Sequence, residues 1–553
     1  MSIRTNKMKA VAVLMKQLTK AKNEFHEKGR DESFEKKLEK LRLDLNRIKD
    51  VFVEVKKNEE KLLDTLAEVY VHLHRLDRKK LDEDMEGICK RIRDSAHNLL
   101  PTLVFDDSYK EEDDRGSPQQ LVQPPQRQSL TAGDVNIPDD QLYYFLCLLI
   151  FPENAIIRKG IAINLWIAEG LITEKETADE LGEDVVHKLL ELKVIVRYGS
   201  TNDPLVNKFQ IPHDIRSQFK FYLDRDLKSI RPRHLLLYRK KFTIGGIDTK
   251  NVTSFNIFNI GTSYLNFGPQ WVTDSFKNIE VLQLGRWQDS PIHHIEVGSE
   301  EFLKELIKLK GLKYLSLRGI SRIFKLPSSV AKLESLLILD LKACHNLETL
   351  PDDISSMKSL THLIMSDCCL LEAMPKGIEK LTNLQVLKGF LITTSEKTPC
   401  TVSDLANNLT NLRRLSIRIG SEAVSRDFVF PSLQNFPSLK HLKISWSVSD
   451  PRSLKFFIHW PVSLRKLHLE CFHGKSLLEF LPRGYEILDE LNITGGKLEN
   501  IFLDTRWRVK ILRLKYLKQL NVDTDDLKIS FPFLQYLEIK QISNHSYIER
   551  TYE

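Results

Sequence analysis

Three patterns along the 553 residues predict a multidomain chain: an amino-terminal α-helical coiled-coil bundle, then a winged-helix domain, then a carboxy-terminal α/β leucine-rich-repeat solenoid. They are a heptad seam over residues 34–76, three helix-length segments followed by a β hairpin over 139–211, and the text LxxLxL recurring beyond residue 230. Length agrees, because a single core rarely serves more than about 250 residues.

The seam runs through Phe34, Leu38, Leu41, Leu45, Ile48, Phe52 and Val55 in alternating steps of four and three, and resumes from Leu62 to Leu76. That spacing keeps one apolar stripe on one helix face. The break at Glu59, beside KKNEE, is where the helix would fold back on itself. A third helix with Met85, Ile88, Ile92, Ala96 and Leu99 on one face stops at Pro101, which cannot continue the hydrogen-bond ladder. Residues 1–105 are therefore expected as a small bundle or an oligomerising coiled coil, and the seam leaves both open. Residues 106–134, DDSYKEEDDRGSPQQLVQPPQRQSLTAGD, are too polar to repay the entropy of folding and are expected as a disordered linker.

Residues 135–229 carry amphipathic segments at 139–151, 158–169 and 176–192, separated by Pro152-Glu153-Asn154 and by Gly170. Two β-type runs follow, 194–198 and 208–211, joined by the turn-rich GSTNDP. Three helices and a hairpin make a winged helix, a variant of helix-turn-helix. From 230 to 553 the repeat appears at Leu312-Leu315-Leu317, Leu336-Leu339-Leu341, Leu360-Leu363-Met365 and five further sites, with weaker copies from Ile279, Leu384 and Val509. Leu336, Leu360 and Leu384 are 24 residues apart, so each unit should give one short parallel strand and a return segment on the convex side. Cys344 and Cys368 fall where such a repeat buries a small polar side chain, so they read as structural.

Residues between the strand leucines point to the concave face: Tyr314, Arg318, Lys342, Lys388, Arg414, Arg418, Lys443, Trp446, Lys466, Arg513, Lys515 and Tyr516. Arginine with aromatics is the composition of binding hot spots, and the excess of cations prefers an acidic protein surface. The formal net charge of +7 has the same sign. Seven cysteines without a CxxC pair exclude a disulfide framework and a zinc knuckle and point to a reducing compartment. The longest apolar run, 142–151, is about half a bilayer span, and the apolar core near the start is too short for a secretory signal. A cytoplasmic protein is expected, with membrane-surface contact through basic residues 1–23 as an alternative. Among the histidines, His72 and His74 face different ways on a helix, and His293-His294 has no nearby cysteine. No metal, no catalytic residue and no enzymatic activity are expected.

On these residues the chain resembles the coiled-coil class of plant NLR disease-resistance proteins. FLCLLIFPENAIIRKGIAINLWIAEGLI is similar to the start of their winged helix, the match resting on Phe151, Pro152, Glu153, Leu165, Trp166, Ala168, Glu169 and Gly170. KFQIPHDIRSQF resembles their Met-His-Asp motif, with Pro212 in place of Met before His213 and Asp214. RPRHLLL and FEKKLEKLRLDLNRIKDVF resemble the start of their repeats and their coiled coil. In the family a P-loop ATPase lies between coiled coil and winged helix, but this sequence contains no GxxxxGK[ST], and GGIDTK at 245–250 lacks the second glycine. No nucleotide cofactor is expected, and His213, whose family counterpart meets a phosphate, is expected only to pack or to bond backbone. The start MSIRTNKMKAV is basic where some members are acidic and apolar, and Asp82-Glu83-Asp84-Met85-Glu86 only faintly echoes the family's acidic helix motif.

The resemblance implies a plant innate-immunity protein of truncated type, with repeats that bind a protein partner and a coiled coil that pairs with other coiled-coil NLRs. Two alternatives stand beside it: a non-immune repeat scaffold such as a ubiquitin-ligase substrate receptor, and a DNA-binding winged helix with its 158–169 helix in the major groove. The second has only Arg158 and Lys159 to offer, so no nucleic-acid partner is expected.

Overall fold

The computed structural model describes residues 14, 15, 18, 34, 37–39, 41, 42, 45, 86–90 and 137–552, the last with breaks at 174–177, 226–232, 238–240, 245–254, 269, 273–277, 289–294, 394–399, 421–430, 447–458, 480, 482–487 and 502–506. All the described positions before residue 91 are helical, and Leu38, Leu41 and Leu45 of the seam are buried. Ile48, Phe52, Val55, the Glu59 break, the 106–134 linker and GGIDTK lie outside the described residues.

The winged helix forms from α1 (Asp139–Leu148), β1 (Ile157–Arg158), α2 (Lys159–Ala168), α3 (Ala178–Glu191), β2 (Val196–Arg197), β3 (Lys208–Gln210) and α4 (His213–Arg225). Two elements go beyond the sequence reading. Strand β1 pairs antiparallel with β3 and makes the wing three-stranded in the order β1-β3-β2. Helix α4 continues the chain past Pro212, whose fixed φ and missing N–H suit the position before a helix. Helix α2 ends in a Schellman cap: Gly170 sits at φ 72°, its N–H bonds the Ile167 carbonyl, and the Leu171 N–H bonds the Trp166 carbonyl. A side chain at Gly170 would be strained in that conformation.

Among the described residues the repeats build one 14-stranded sheet, β4 (Arg233–Leu237), β6 (Phe255–Asn259), β8 (Val281–Gln283), β10 (Tyr314–Ser316), β11 (Ile338–Asp340), β12 (His362–Ile364), β13 (Val386–Ile392), β14 (Arg414–Ile419), β15 (His441–Trp446), β16 (Lys466–Phe472), β17 (Glu490–Gly496), β18 (Ile511–Lys515), β19 (Tyr536–Lys540) and β20 (Tyr547–Thr551), in spatial order. All neighbours are parallel except β20, which folds back antiparallel on β19 and closes that end. A second sheet of β5 (Lys241–Ile244), β7 (Tyr264–Phe267) and β9 (Glu296–Val297) lies under the first repeats and has no LxxLxL text to announce it. Register holds a continuous leucine ladder, Leu315, Leu339, Leu363, Leu387, Leu415, Leu442, Leu467, Leu491, Leu512 and Leu537. Every one is at most 2% exposed, so the repeat text is the core itself. The Leu384 copy reads weakly because β13 slips register between Lys388 and Phe390, around Gly389 at φ 87°. Cys344 and Cys368 are buried and donate Sγ–H to the Leu317 and Leu341 carbonyls, each at 3.0 Å. Burial pushes the Cys344 thiol up to about 12, which leaves it un-ionised and unreactive.

Candidate functional site: the concave face and its winged-helix cover

Parallel register converts the residues between the leucines into columns across the concave face. One column runs Tyr314, Ile338, His362, Val386, Arg414, His441, Lys466 and Glu490; the next runs Ser316, Asp340, Ile364, Lys388, Ser416, Lys443, His468, Asn492, Arg513 and Glu538. The winged helix sits on this face. Its apolar contact is at the first repeats, where Phe258, Ile260, Val281, Trp287, Tyr314 and Ile338 join the winged helix in one hydrophobic cluster. The Phe151 ring lies 5.2 Å from Trp287, and Asn256 donates to the Glu169 carboxylate at 2.6 Å. Helix α2, which a DNA-reading winged helix needs exposed, is buried throughout Ile161–Ala168 and packs against β10.

The FPE and LWIAEG texts thereby gain physical roles. Trp166 is fully buried, donates Nε1–H to the Tyr144 carbonyl at 3.0 Å and meets the Tyr144 ring edge-on. Phe151 and Glu169 fasten the domain to the repeats, and Gly170 turns the chain. His213 corrects the expectation that it packs or bonds backbone: its ring is largely exposed and Nδ1 meets the Glu153 carboxylate. The Phe-Pro-Glu turn and the His-Asp motif are one contact.

Farther along the concave face the cover is electrostatic. Arg414 Nε lies 2.8 Å from Asp179 and its Nη2 3.4 Å from Glu183, both on α3. Lys440 pairs with Glu180, which Arg413 also approaches at 3.6 Å, and Lys159 holds Glu183 at 3.1 Å. Burial tends to raise the Asp179 carboxyl, but Arg414, His362, Lys388 and His441 outweigh it and hold the group below the usual carboxylate range. The wing supplies a second contact, with Asp203 at 2.7 Å from Arg513 and Ser200 bonded to Glu549 on β20. Between these two contacts lies a cleft of about 830 Å³, lined by Lys443, Lys466, Arg513 and Lys515 from the repeats and by Arg197 and Lys208 from the wing.

The remaining concave residues have partners of several kinds. Lys443, Lys466 and Lys515 meet Glu470, Glu490 and Glu538 at 3.3, 3.5 and 2.8 Å, acids of the neighbouring strands that the sequence reading did not weigh. Arg318 and Tyr314 are buried, Lys342 reaches Asp367 at 3.8 Å, and Arg418 turns back to the Cys368 carbonyl at 2.9 Å. Burial, with Arg414 beside it, depresses Lys388 to about 8. Trp446 is a correction: it is in register with Ile419, points into the repeat core and packs against Phe472 at 5.7 Å. On β15 the concave positions are His441, Lys443 and Ser445, and the next residue faces inward by the strand's two-residue period. Tyr516 lies past the end of β18 at φ 58°, with Lys540 over its ring at 5.7 Å.

The amino-terminal helix also touches the repeats. Arg42 Nη1 is 2.9 Å from Glu296 on β9, which Arg322 approaches at 3.8 Å from the other side.

Histidines under the cover give a pH prediction. Burial lowers His362 to about 4 and His441 to about 2, the latter helped by Arg414 and Lys466. Both values lie below the ordinary ~6.5, so the folded form excludes protons that the unfolded chain binds. Their stabilisation is complete above pH ~6.5 and is lost as pH falls towards 4; Asp179 and Glu183, both held low, lose theirs in the same direction. The melting temperature is therefore expected to drop between pH 7 and 4.5, and His362→Asn should flatten that drop. A pH-independent melting temperature would count against this.

The matching families follow this division. Residues 251–549 match the family described as leucine-rich repeat region, and 150–216 match the disease resistance protein winged helix domain. The chain is 28% identical over 425 residues to disease resistance RPP13-like protein 4 of Arabidopsis thaliana, an alignment covering 74% of this chain and 49% of that one. The chain thus spans about half the length of this curated relative. Two internalins of Listeria monocytogenes, InlF and InlC2, are similar solved structures at 15% and 21% identity, covering 48% and 40% of this chain and 76% and 82% of theirs, with TM-scores of 0.29 and 0.25. With more than half its length in the repeat family, the chain belongs to the leucine-rich-repeat family, and it folds a winged helix of the disease-resistance protein type onto those repeats.

Proposed function

We propose that this chain is a non-enzymatic recognition and signalling protein of plant defence whose repeats bind an acidic protein partner on the concave face, and whose winged helix holds that face closed until the partner competes. The observation that carries this reading is the seating of Asp179 and Glu183 on Arg414, which places the chain's own carboxylates where a partner's would bind. A partner that binds only the uncovered face shifts the chain towards the open state by its difference in affinity for the two states. The amino-terminal helix, held by Arg42 on Glu296, is released with the cover and pairs with other coiled-coil NLR chains in the cytoplasm. No nucleotide of its own takes part in the switch.

The test is affinity capture from plant cells followed by mass spectrometry, with the full chain and with an Asp179→Asn/Glu183→Gln chain whose cover is weakened. The weakened chain is expected to recover more acidic partners and more coiled-coil NLR chains. Identical partner sets would overturn the closed-face reading, and ligase subunits in place of NLR chains would favour the scaffold alternative.

A further inference from the structure

Part of the charge balance on the concave face comes from the winged helix. Lys466, Arg513 and Lys515 share two carboxylates of the repeats: Glu490 lies 3.5 Å from Lys466 and 2.6 Å from Arg513, and Glu538 lies 3.3 Å from Arg513 and 2.8 Å from Lys515. The third carboxylate, Asp203, arrives from the wing on the free edge of the Arg513 guanidinium at 2.7 Å. With the wing in place that guanidinium is only 8% exposed. A charge buried this deeply is costly without its partners, so any ligand that takes the wing's place and buries Arg513 as deeply must bring a carboxylate to this point. The same holds four strands away on β14, where the acids paired with Arg414 among the described residues, Asp179 and Glu183, both come from the winged helix.

We propose that the Asp203 wing and the α3 acids are tethered stand-ins for an acidic peptide, and that this peptide seats in the cleft between them with one carboxylate cluster on Arg513 and another on Arg414. This rests on the acidic-partner reading above. Four inter-strand steps separate the two arginines by roughly 19 Å, which an extended peptide spans in about six residues. The cleft is of the size that takes such a segment, and Lys443, Lys466 and Lys208 line the path between its ends. Asp203 lies on a short turn and is the easier of the two clusters to displace, so Arg513 is the point of first contact.

The test is fluorescence anisotropy of a labelled ten-residue peptide carrying two aspartates at each end, separated by six glycines and serines, titrated with the full chain in 0.15 M salt. Asp203→Asn removes one stand-in and is expected to tighten binding about tenfold, whereas Arg513→Gln weakens it about tenfold or more, the range for charge-assisted hydrogen bonds. Circular dichroism and trypsin resistance confirm that both variants fold. Peptide binding that Asp203→Asn leaves unchanged or weakens overturns the stand-in role while the acidic-partner reading survives. No binding to the Asp203→Asn chain overturns both. Displacement of the peptide by tripolyphosphate at far lower concentration would reassign the cleft to a small polyanion.

Discussion

Arg414→Glu is expected to lift α3 off the repeats. In the native chain the guanidinium is about three-quarters buried between Asp179 and Glu183, and reversal places a third carboxylate among two that burial already strains. Breaking a buried pair costs about 3–5 kcal/mol, because the remaining charges stay desolvated without a partner. Hydrogen exchange over residues 178–191 should accelerate by two or more decades, given about 1.4 kcal/mol per decade. Lys440→Ala is the internal control: its pair with Glu180 is more exposed, and such pairs are worth about 0–1 kcal/mol. Equal effects of the two substitutions would mean that the interface is held by its apolar end alone. Asp179→Lys added to Arg414→Glu should recover part of the protection, since the ion pair is then restored with its polarity swapped.

Trp166→Ala is expected to unfold the winged helix while leaving the repeats folded. The indole is wholly buried, and its removal loses the Tyr144 hydrogen bond, the edge-on ring contact and the packing of α2 at its centre. Large-to-small aromatic substitutions of this kind cost about 3–5 kcal/mol. The repeats have a separate leucine core, so their transition should move little. Urea unfolding followed by exchange at residues 139–219 and at 360–392 separates the two domains. Parallel loss of protection in both would show that the repeats depend on the cover for their own stability.

The helices α1 and α3 and the strands β10–β19 were legible because their cores are local texts, a 3.6-residue period or a leucine spacing repeated every turn of the solenoid, and α2 was legible as an apolar run of helix length between breakers. Cys344 and Cys368 were legible for the same reason, being fixed by their offset from those leucines. Strand β1 and the three-stranded side sheet carry too few residues to be seen without their pairing partners, and helix α4 was read only as the His-Asp motif at its start. Trp446 was misplaced because a composition rule, arginine with aromatics on a binding face, was applied without counting the strand's period to its last residue. Pairing of His213 with Glu153 joins residues 60 apart in sequence and had no local signal.

By itself the sequence determined the solenoid, the winged helix and the positions of the concave cations, because each follows from spacing along the chain. Only the tertiary structure decided that the basic face is covered by the chain's own acids. Asp179, Glu183 and Asp203 are ordinary surface carboxylates in the text; Arg414 and Arg513 follow them by 230 residues or more. Their pairing depends on how two separately folded cores dock, and that docking is set by the apolar contact of Phe151 with Trp287 and of α2 with β10. Long-range desolvation then turns exposed charges into an interface, which no local pattern encodes.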